Sequence, residues 1–330
     1  MKTLAPIVLF CYNRPDTLKH TVESLRENYW ADESDLFIFS DGAKKPADEP
    51  LVAEVRAYLK TITGFKTVII KEAPANKGLA NSIIGGVNEV INRYDKVIVL
   101  EDDLVSSSNF LVYMNNGLDY YRENAKVFSI TGFSIPIRGV SENTVYYTQR
   151  ANSCGWGTWK DRWNEIDWEV KDYAMLMSNR ATRRAFNKMG SDMTGLLVKQ
   201  KTGKINSWAI RWCYHQFKHD LFSVHPVVSK IKNIGYAKGA THTKEKPIFY
   251  GADNIAIKPE GKVMLTIAGM EFMGAFTPNL EAVATVNPAI AKYKLSSNDF
   301  ISSEEQPFNI KLRDWELKVE TWKYGAKGLF

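Results

Sequence analysis

The sequence predicts an α/β protein built around a mostly parallel sheet with crossover helices. Short apolar runs alternate with helix-like stretches along roughly the first 130 residues, which is typical of strands that are buried on both faces and joined by helices. The longest apolar runs, such as 97–100, are far shorter than the roughly 20 residues of a membrane-spanning helix. Hydrophobic residues make up 45% and charged residues 24% of the 330 residues, which favours a globular protein over a disordered chain.

The elements follow in order from these apolar runs and the stretches between them. Strands are predicted at 6–12, 35–40, 67–71, 96–100 and 127–131. Helices are predicted at 16–28, 47–63, 79–93 and 109–123. After about Gly132 the alternation stops and aromatic-rich segments follow. We therefore expect two halves, 1–132 and a less regular 133–330 that includes the C-terminal tail, packed as one compact unit.

Positive charge is concentrated in one segment. The net charge is +6, and between Arg180 and Tyr250 there are 14 Lys and Arg residues against three acidic residues. This concentration favours attraction to phosphates on an acceptor or to a membrane surface, although a solvated basic face gives the same pattern. Nucleic acid is not expected as a partner, because no DNA- or RNA-binding motif accompanies the charge.

Cysteine usage and the start of the sequence predict the compartment. The three cysteines are too few and too scattered for a disulfide scaffold or a thiolate zinc site, which favours a reducing environment. The first residues show no basic region followed by a long apolar core, so no signal peptide is expected. We predict a cytoplasmic protein, and peripheral contact with the inner membrane remains an open alternative.

Three consecutive acidic residues follow a predicted strand. Glu101, Asp102 and Asp103 come directly after the apolar run 97–100. Two such charges ~4 Å apart repel by about 4 kcal/mol at an effective dielectric constant near 20. A divalent cation would remove this repulsion, and Mg²⁺ and Mn²⁺ bind one or two protein carboxylates together with phosphates and water. We therefore predict a Mn²⁺ or Mg²⁺ site, with a solvated turn or helix cap as the alternative.

Other polar residues follow the remaining strands, at the edge where open parallel sheets bind ligands. Asn13 and Arg14 follow the first strand, Asp41 follows the second, and 76–78 follow the third. Neither a glycine-rich dinucleotide fingerprint nor a P-loop occurs in the sequence. We therefore expect a diphosphate to be held by a metal and basic residues, with Arg14 as a bidentate donor.

Five short segments occur in an order that matches one family. Segments 7–15, 40–42, 76–81, 101–104 and 155–157 read Ile-Val-Leu-Phe-Cys-Tyr-Asn-Arg-Pro, Ser-Asp-Gly, Asn-Lys-Gly-Leu-Ala-Asn, Glu-Asp-Asp-Leu and Gly-Trp-Gly. With these segments the chain resembles glycosyltransferases of the GT-A fold, in particular bacterial enzymes of glycosyltransferase family 2. It also shows local similarity to N-acetylglucosaminyltransferases of the N-glycan and O-mannose type.

The resemblance implies a metal-dependent transfer of a sugar from a nucleoside-diphosphate sugar, expected to be UDP-linked, to a hydroxyl of a glycan or polyprenyl-diphosphate-linked glycan. The implied setting is bacterial surface polysaccharide synthesis, with the donor on the first half and the acceptor on the second. Nucleotide-sugar binding is implied for Asn13, Arg14, Asp41, Asn76, Lys77, Gly78, Glu101 and Asp102, with Asp41 accepting from the base. Metal binding is implied for Asp103 and, late in the chain, for His242.

The catalytic base is left open. Where the N-acetylglucosaminyltransferases carry a catalytic aspartate, this sequence has Asn206 and Ser207, and neither can act as a carboxylate base. Asp192 and Asp161 are the candidate replacements. The candidate acceptor-binding residues are Trp156, Trp208 and Arg211, with core packing as the alternative for the tryptophans.

Two other functions also remain open from the sequence. A sugar nucleotidyltransferase would normally show a glycine-rich basic signature near the first strand. This chain instead has Cys-Tyr-Asn-Arg-Pro at 11–15. A non-catalytic carbohydrate-binding protein could keep a tryptophan-lined pocket without a base. Donor hydrolysis in the presence of Mn²⁺ separates these functions from glycosyl transfer.

Overall fold

The computed structural model describes residues 3–134 and 145–235, together with the backbone of a two-stranded ribbon formed by Met264–Leu265 and Gly274–Ala275. The strands of the main part are β1 (Ile7–Cys11), β2 (Asp35–Ser40), β3 (Thr67–Glu72), β4 (Lys96–Glu101), β5 (Leu104–Ser106), β6 (Val127–Thr131), β7 (Val145–Thr148), β8 (Trp156–Trp159), β9 (Phe222–Pro226) and β10 (Ile231–Asn233). The helices are α1 (Pro15–Arg26), α2 (Glu49–Leu59), α3 (Leu79–Tyr94), α4 (Phe110–Tyr120), α5 (Lys160–Asn164), α6 (Tyr173–Ser178), α7 (Arg180–Phe186), α8 (Met193–Lys201) and α9 (Trp208–Lys218).

One eight-stranded sheet organises the fold, in the order β3-β2-β1-β4-β8-β6-β9-β7. Strands β3, β2, β1 and β4 run parallel, whereas β8 is antiparallel to both of its neighbours. The strands and helices predicted before Gly132 are all present, with ends within four residues of the predicted ones. The predicted α/β class with a mostly parallel sheet is therefore confirmed.

The later half of the chain also contributes strands to this sheet. Strand β8 lies between β4 and β6, with Trp156 opposite Val99 and Gly157 opposite Ile98. A side chain at 157 would lie 2.8 Å from the carbonyl oxygen of Val97, so the close pairing requires glycine there. Residues on both sides of 132 thus build one continuous sheet.

The two faces of the sheet pack against different helices. On one face, Leu9 and Leu100 pack with Leu18 of α1; on the other, Val99 packs with Val87 of α3 and with the tryptophans of α9. Burying each such aliphatic side chain stabilises the fold by about 1.5–3 kcal/mol. Because side chains alternate along a strand, Glu101 at the end of β4 lies on the same face as Val99, which packs on α3. No helix in the described ranges combines the length and apolar character needed to cross a bilayer.

Candidate active site

The carboxyl ends of β1, β2 and β4 meet at one edge of the sheet, and the loops that leave them carry the polar residues of the site. Strand register places Phe10 of β1 opposite Glu101 of β4. Pro15 begins α1, where its fixed φ suits the first helical turn, so Arg14 lies in the turn between β1 and α1. The arginine and the three acidic residues therefore meet at one corner.

Arg14 is the centre of what we call the acidic corner, formed by Arg14, Glu101, Asp102, Asp103 and Gly235. Its Nη1 donates to Asp103 Oδ2 at 2.8 Å and lies 3.4 Å from Asp102 Oδ1. Asp102 Oδ2 accepts from the backbone N–H of Tyr12 at 3.2 Å. The side chains of Arg14, Asp102 and Asp103 are 20%, 9% and 15% exposed. The ion pair is thus largely shielded from water, which strengthens it relative to a surface pair.

The carboxyl groups of the acidic corner destabilise one another. Burial, and then the charge of Asp103, raises the pKa of Glu101 and of Asp102 above the usual range of carboxyl groups. Burial also raises the pKa of Asp103, while the charge of Arg14 opposes this rise. Because one guanidinium faces three carboxyl groups, full ionisation leaves two negative charges uncompensated. A divalent cation carries the matching charge.

A segment from the other end of the described chain covers the corner. Strand β10 pairs with β5, which directly follows the acidic residues, and the Ile234 N–H donates to the Asp103 carbonyl at 2.8 Å. The Gly235 carbonyl accepts from Arg14 Nη2 at 2.9 Å. A side chain at 235 would overlap Asp103 Oδ2, so this close approach of the backbone requires glycine. No sequence pattern predicts this contact.

The donors of the acidic corner fit a cation that takes few protein ligands. Within the described ranges, no three His, Cys, Asp or Glu side chains converge as in a metal site built from protein alone. Asp102 and Asp103 nevertheless reach the same guanidinium nitrogen, which places both carboxylates around one point of the corner. Mg²⁺ and similar ions typically use one or two carboxylates and complete their shell with phosphate and water. His242, the other predicted ligand, lies outside the described residues.

Asp41 holds the loop at 76–78 in place. Its Oδ1 accepts from the backbone N–H groups of Gly42 at 2.9 Å and Lys77 at 2.8 Å. Its Oδ2 accepts from Gly78 N–H at 3.0 Å and from Asn76 Nδ2 at 3.1 Å. The structure therefore brings the predicted nucleotide-binding residues of these two loops together. It also corrects the role expected for Asp41. Each carboxylate oxygen already accepts two hydrogen bonds and so has no free lone pair for the nucleobase.

Two glycines allow this loop to lie against Asp41. A side chain at Gly42 would come within 2.5 Å of the backbone of Ala75. Gly78 has φ +76°, a conformation that costs other residues energy, and a Cβ added there would meet nothing within 4 Å. The backbone before α3 is therefore both fixed in shape and open on its outer side.

A polar network beside the corner has no counterpart in the sequence patterns. The Tyr12 hydroxyl donates to Asp48 Oδ2 at 2.9 Å and accepts from the Lys44 N–H at 2.8 Å. Asn13, a predicted nucleotide-binding residue, is half-buried, with its Nδ2 3.4 Å from Asp48 Oδ1. These contacts fix the loop after β2 against the turn after β1.

The tryptophans predicted to bind an acceptor lie in the core. Trp156 and Trp208 are 1% and 3% exposed. With Trp163, Trp168 and Trp212 they form what we call the tryptophan cluster, in which Trp156 lies 4.4 Å from Trp212 and 5.2 Å from Trp208 between ring centroids. Since neither ring has a free face, the structure favours the core-packing interpretation for both.

Arg211, the third residue predicted to bind an acceptor, keeps access to solvent. Its Nε donates to the Ser207 carbonyl at 3.1 Å and its Nη1 to the Trp168 carbonyl at 3.2 Å. The guanidinium borders an open cleft of about 200 Å³ between α8 and α9. Of the three predicted acceptor-binding side chains, it is therefore the one that a ligand could reach.

Neither predicted base is brought to the acidic corner. Asp192 is bound through both oxygens by Arg150, each contact 3.0 Å long, and its side chain is 5% exposed. Asp161 follows β8, whose end pairs with Lys96 at the amino end of β4, the opposite edge of the sheet. Partial burial raises the pKa of Asp161, but the hydrogen bond from Arg122 and the charges of Arg162 and Arg122 together lower the pKa overall. A lowered pKa makes a weaker base.

Comparisons with known proteins add a family match. The sequence profile described as Glycosyl transferase family 2 matches residues 7–190, which is more than half of the chain. The matched region contains β1 to β4, Arg14, the acidic residues at 101–103 and the Asp41 loop. None of the curated proteins matches the chain.

Several solved structures resemble the fold at low identity. The mannosyltransferase PcManGT from Pyrobaculum calidifontis, solved with GDP-Man and Mn²⁺, is 11% identical over 66% of this chain and 75% of its own, with a TM-score of 0.38. S. aureus TarS is 10% identical over 50% of this chain and 30% of its own, with a TM-score of 0.35. The glycosyltransferase GlyE of Streptococcus pneumoniae TIGR4 is 11% identical over 67% of this chain and 45% of its own, with a TM-score of 0.33. The matches thus span less than half of the TarS and GlyE chains.

Proposed function

We propose, from the premise that this chain belongs to glycosyl transferase family 2 and is a glycosyltransferase of the GT-A fold, that its donor is a nucleoside-diphosphate sugar and its acceptor a glycan hydroxyl. We further propose a UDP-linked donor, a lipid-linked glycan as acceptor, and a role in bacterial surface polysaccharide synthesis. The observation that carries the proposal is the acidic corner. Its three carboxyl groups and single guanidinium lie at the carboxyl edge of the parallel sheet, where ligands bind in this architecture.

The residues of the corner have separable tasks in this proposal. Asp102 and Asp103 would hold Mn²⁺ or Mg²⁺, and Arg14 would keep both carboxylates oriented while offering its remaining N–H groups to the diphosphate. A bound divalent cation would stabilise the negative charge of the departing nucleoside diphosphate. Glu101 faces the α3 side, where the donor sugar would lie. The shielding of these groups from water increases the effect of each charge.

The loops after β2 and β3 would form the nucleoside side of the site. Asp41 accepts hydrogen bonds from the backbone N–H groups of Lys77 and Gly78 and from Asn76 Nδ2, which fixes the loop at 76–78, and Gly78 leaves the outer side of the loop open. We assign this loop the task of presenting backbone groups to the nucleoside, with Asn13 and Lys77 beside it. Asp41 acts by positioning the loop.

Charge on the later half supports a phosphorylated acceptor. Between Arg180 and Gly235 there are 11 Lys and Arg residues against two acidic residues, and Arg180, Arg184 and Lys188 are exposed. Such a surface would attract a polyprenyl-diphosphate acceptor or the inner-membrane surface that carries it. Binding of acceptor-containing vesicles should weaken steeply as salt is raised, and salt-independent binding would contradict this part of the proposal.

Nucleotide binding with and without metal tests the donor site. Thermal unfolding is measured with UDP or GDP in the presence of Mn²⁺, for the wild type, Asp103→Asn and Asp95→Asn. Asp95 flanks the other end of β4, its side chain is 76% exposed, and asparagine tolerates its φ of +64°. We expect the nucleotide with Mn²⁺ to raise the melting temperature of the wild type and Asp95→Asn, but not of Asp103→Asn.

Two outcomes would contradict the proposal. If the nucleotide with Mn²⁺ raised the melting temperature of Asp103→Asn as much as that of the wild type, the metal would not bind at the acidic corner. If neither nucleotide changed the melting temperature of the wild type, the protein would have no donor site of the proposed kind. Loss of folding does not confuse the test, because the melting temperature of each variant is first measured without ligand and only the shift caused by the nucleotide and Mn²⁺ is compared.

A further inference from the structure

A second recess lies away from the acidic corner, between α8, α9 and the segment that precedes α6. It is an open cleft of about 200 Å³. The residues that line it are Trp168, Glu169, Val170, Leu197, Gln200, Lys201 and Arg211. Sites for drug-sized ligands usually measure roughly 300–1,000 Å³, so this cleft suits one small ring.

The cleft offers hydrogen-bond groups of both kinds that have no partner in the described residues. Arg211 donates to three protein acceptors, Ser207 and Trp168 carbonyls and Asn206 Oδ1, which leaves two of its five N–H groups. Gln200 uses its Oε1 to accept from the Ser207 N–H, and its Nε2 donates to no residue of the described ranges. The exposed Glu169 carboxylate likewise accepts no hydrogen bond from the described part of the chain.

An aromatic ring forms part of the same wall. Trp168 is half-buried, packs on Trp163 with ring centroids 4.9 Å apart, and has the Arg211 guanidinium 5.7 Å from its own centroid. Unlike the buried rings of the tryptophan cluster, Trp168 retains accessible surface. Its packing also fixes the ring before a ligand arrives, which lowers the entropic cost of binding.

The backbone of the cleft is strained at one position. Val170 has φ +48°, a left-handed conformation that is a clear outlier for a β-branched residue. It is 2% exposed and its N–H donates to the Asp167 carbonyl at 3.2 Å, so its surroundings enforce the conformation. Strain of this kind occurs preferentially at ligand sites, where it holds side chains in position. Here it directly follows Trp168 and Glu169, which line the cleft.

We propose that this cleft binds one pyranose ring of a glycan, with the ring against Trp168 and its hydroxyl groups bound by Arg211, Gln200 and Glu169. Hydroxyl groups both donate and accept, so a mixed set of donors and acceptors beside an aromatic face suits a sugar better than an anion or an apolar ligand. The inference rests on the proposed function in one respect, namely that the glycan is the acceptor or its extended product. The cleft would then hold a sugar ring distant from the reacting hydroxyl.

Binding to an array of immobilised mono- to tetrasaccharides, followed by calorimetry with the strongest free saccharide, tests the cleft. The variants are Glu169→Gln, Arg211→Lys and the matched control Glu165→Gln, which changes another exposed glutamate four positions away. We expect saturable binding that is about tenfold weaker in Glu169→Gln and Arg211→Lys and unchanged in the control, because the first variant removes the charge that strengthens the hydrogen bond and the second removes the planar guanidinium fork. Thermal unfolding checks that each variant is folded.

Parallel titration with UDP or GDP and Mn²⁺ keeps this inference separate from the donor site. Saccharide binding that is insensitive to both cleft variants would overturn the inference, because the sugar would then bind elsewhere. No saccharide binding in a protein that binds the nucleotide would also overturn it, while leaving the proposed function intact. Saccharide binding of the expected sensitivity without nucleotide binding would support the cleft and contradict the donor site.

Discussion

The acidic corner and the tryptophan cluster are neighbours in the sheet, yet they are built from opposite physical chemistry. Trp156 on β8 pairs with Val99 on β4, and Glu101 comes two residues later on the same strand. In the cluster, rings pack 4.4–5.4 Å apart around Trp156, which is 1% exposed. In the corner, carboxyl groups whose pKa values are raised by burial share one arginine. The residues of the cluster stabilise the fold, whereas the carboxyl groups of the corner repel one another and are kept together by the rest of the fold.

The difference teaches which substitutions should affect stability and which should affect binding. Burying a large aromatic side chain is favourable, and leaving a cavity there is costly. Burying like charges is unfavourable, so their presence indicates a use that compensates for the cost, such as binding a cation. A change in the cluster should therefore lower the stability of the protein, whereas a change in the corner should leave it folded and impair binding.

The largest effect is expected from Trp156→Ala. Because the ring is fully surrounded by other aromatic rings, its removal should lower the free energy of unfolding by about 3–5 kcal/mol. Urea denaturation measures this change. Tyr29→Ala, which removes an aromatic ring that is 39% exposed, is the control and should cost far less. Equal effects of the two variants would show that the cluster does not dominate stability.

A buried histidine on the same helix as Trp208 and Trp212 should make the protein sensitive to acid. His215 packs on Phe128 with ring centroids 5.2 Å apart, and burial, then the charge of His219, lowers its pKa from 6.5 to about 4. A lowered histidine pKa means that stability is complete above about pH 6.5 and is lost as the pH falls toward about 4. The loss is up to about 3 kcal/mol. Urea denaturation across this range should show the loss in the wild type and in His20→Gln, but a smaller one in His215→Phe.

Gly235→Ala should weaken ligand binding at the acidic corner. The added methyl group overlaps the Asp103 carboxylate, so either Asp103 or the β10 segment must move. We expect about a tenfold to hundredfold loss of affinity for the nucleotide with Mn²⁺, corresponding to an overpacking cost of about 1–3 kcal/mol. Calorimetric titration measures it. Gly195→Ala on α8, where an added Cβ meets nothing within 4 Å, should bind as the wild type does.

The smallest effect is expected from Asp161→Asn. Its ion pair with Arg122 is 2.8 Å long, but the two side chains are 52% and 42% exposed, and such pairs contribute about 0–1 kcal/mol. Since the residue lies at the opposite edge of the sheet, donor turnover should stay within about twofold of the wild type. A loss of turnover by orders of magnitude with an unchanged melting temperature would restore Asp161 as a candidate base.

The sequence predicts β1, β2 and β4 well because these parallel strands are buried on both faces and their apolar runs are uninterrupted. It also predicts where Asp41 and Asp103 lie, because each follows the end of such a strand. Their partners depend on which loops meet in three dimensions, and nothing local encodes that. Strand β8 could not be predicted for a related reason. In the sequence alone Trp156 and Gly157 indicate the wall of a pocket, and only their pairing with β4 and β6 shows that they belong to a strand.

The pairing of β5 with β10 has a consequence for how the protein is made. Asn233 pairs with Leu104, 129 positions earlier in the chain, and closing so long a loop is entropically slow. Strands β1 to β4 can pair with one another while the later segments are still on the ribosome, since of their partners in the sheet only β8 comes later in the chain. Arg14 and the carboxylates of the acidic corner would therefore lack their contact with Gly235 until translation reaches 231–235. Catalytic competence should then arise late in biogenesis, after most of the sheet has formed.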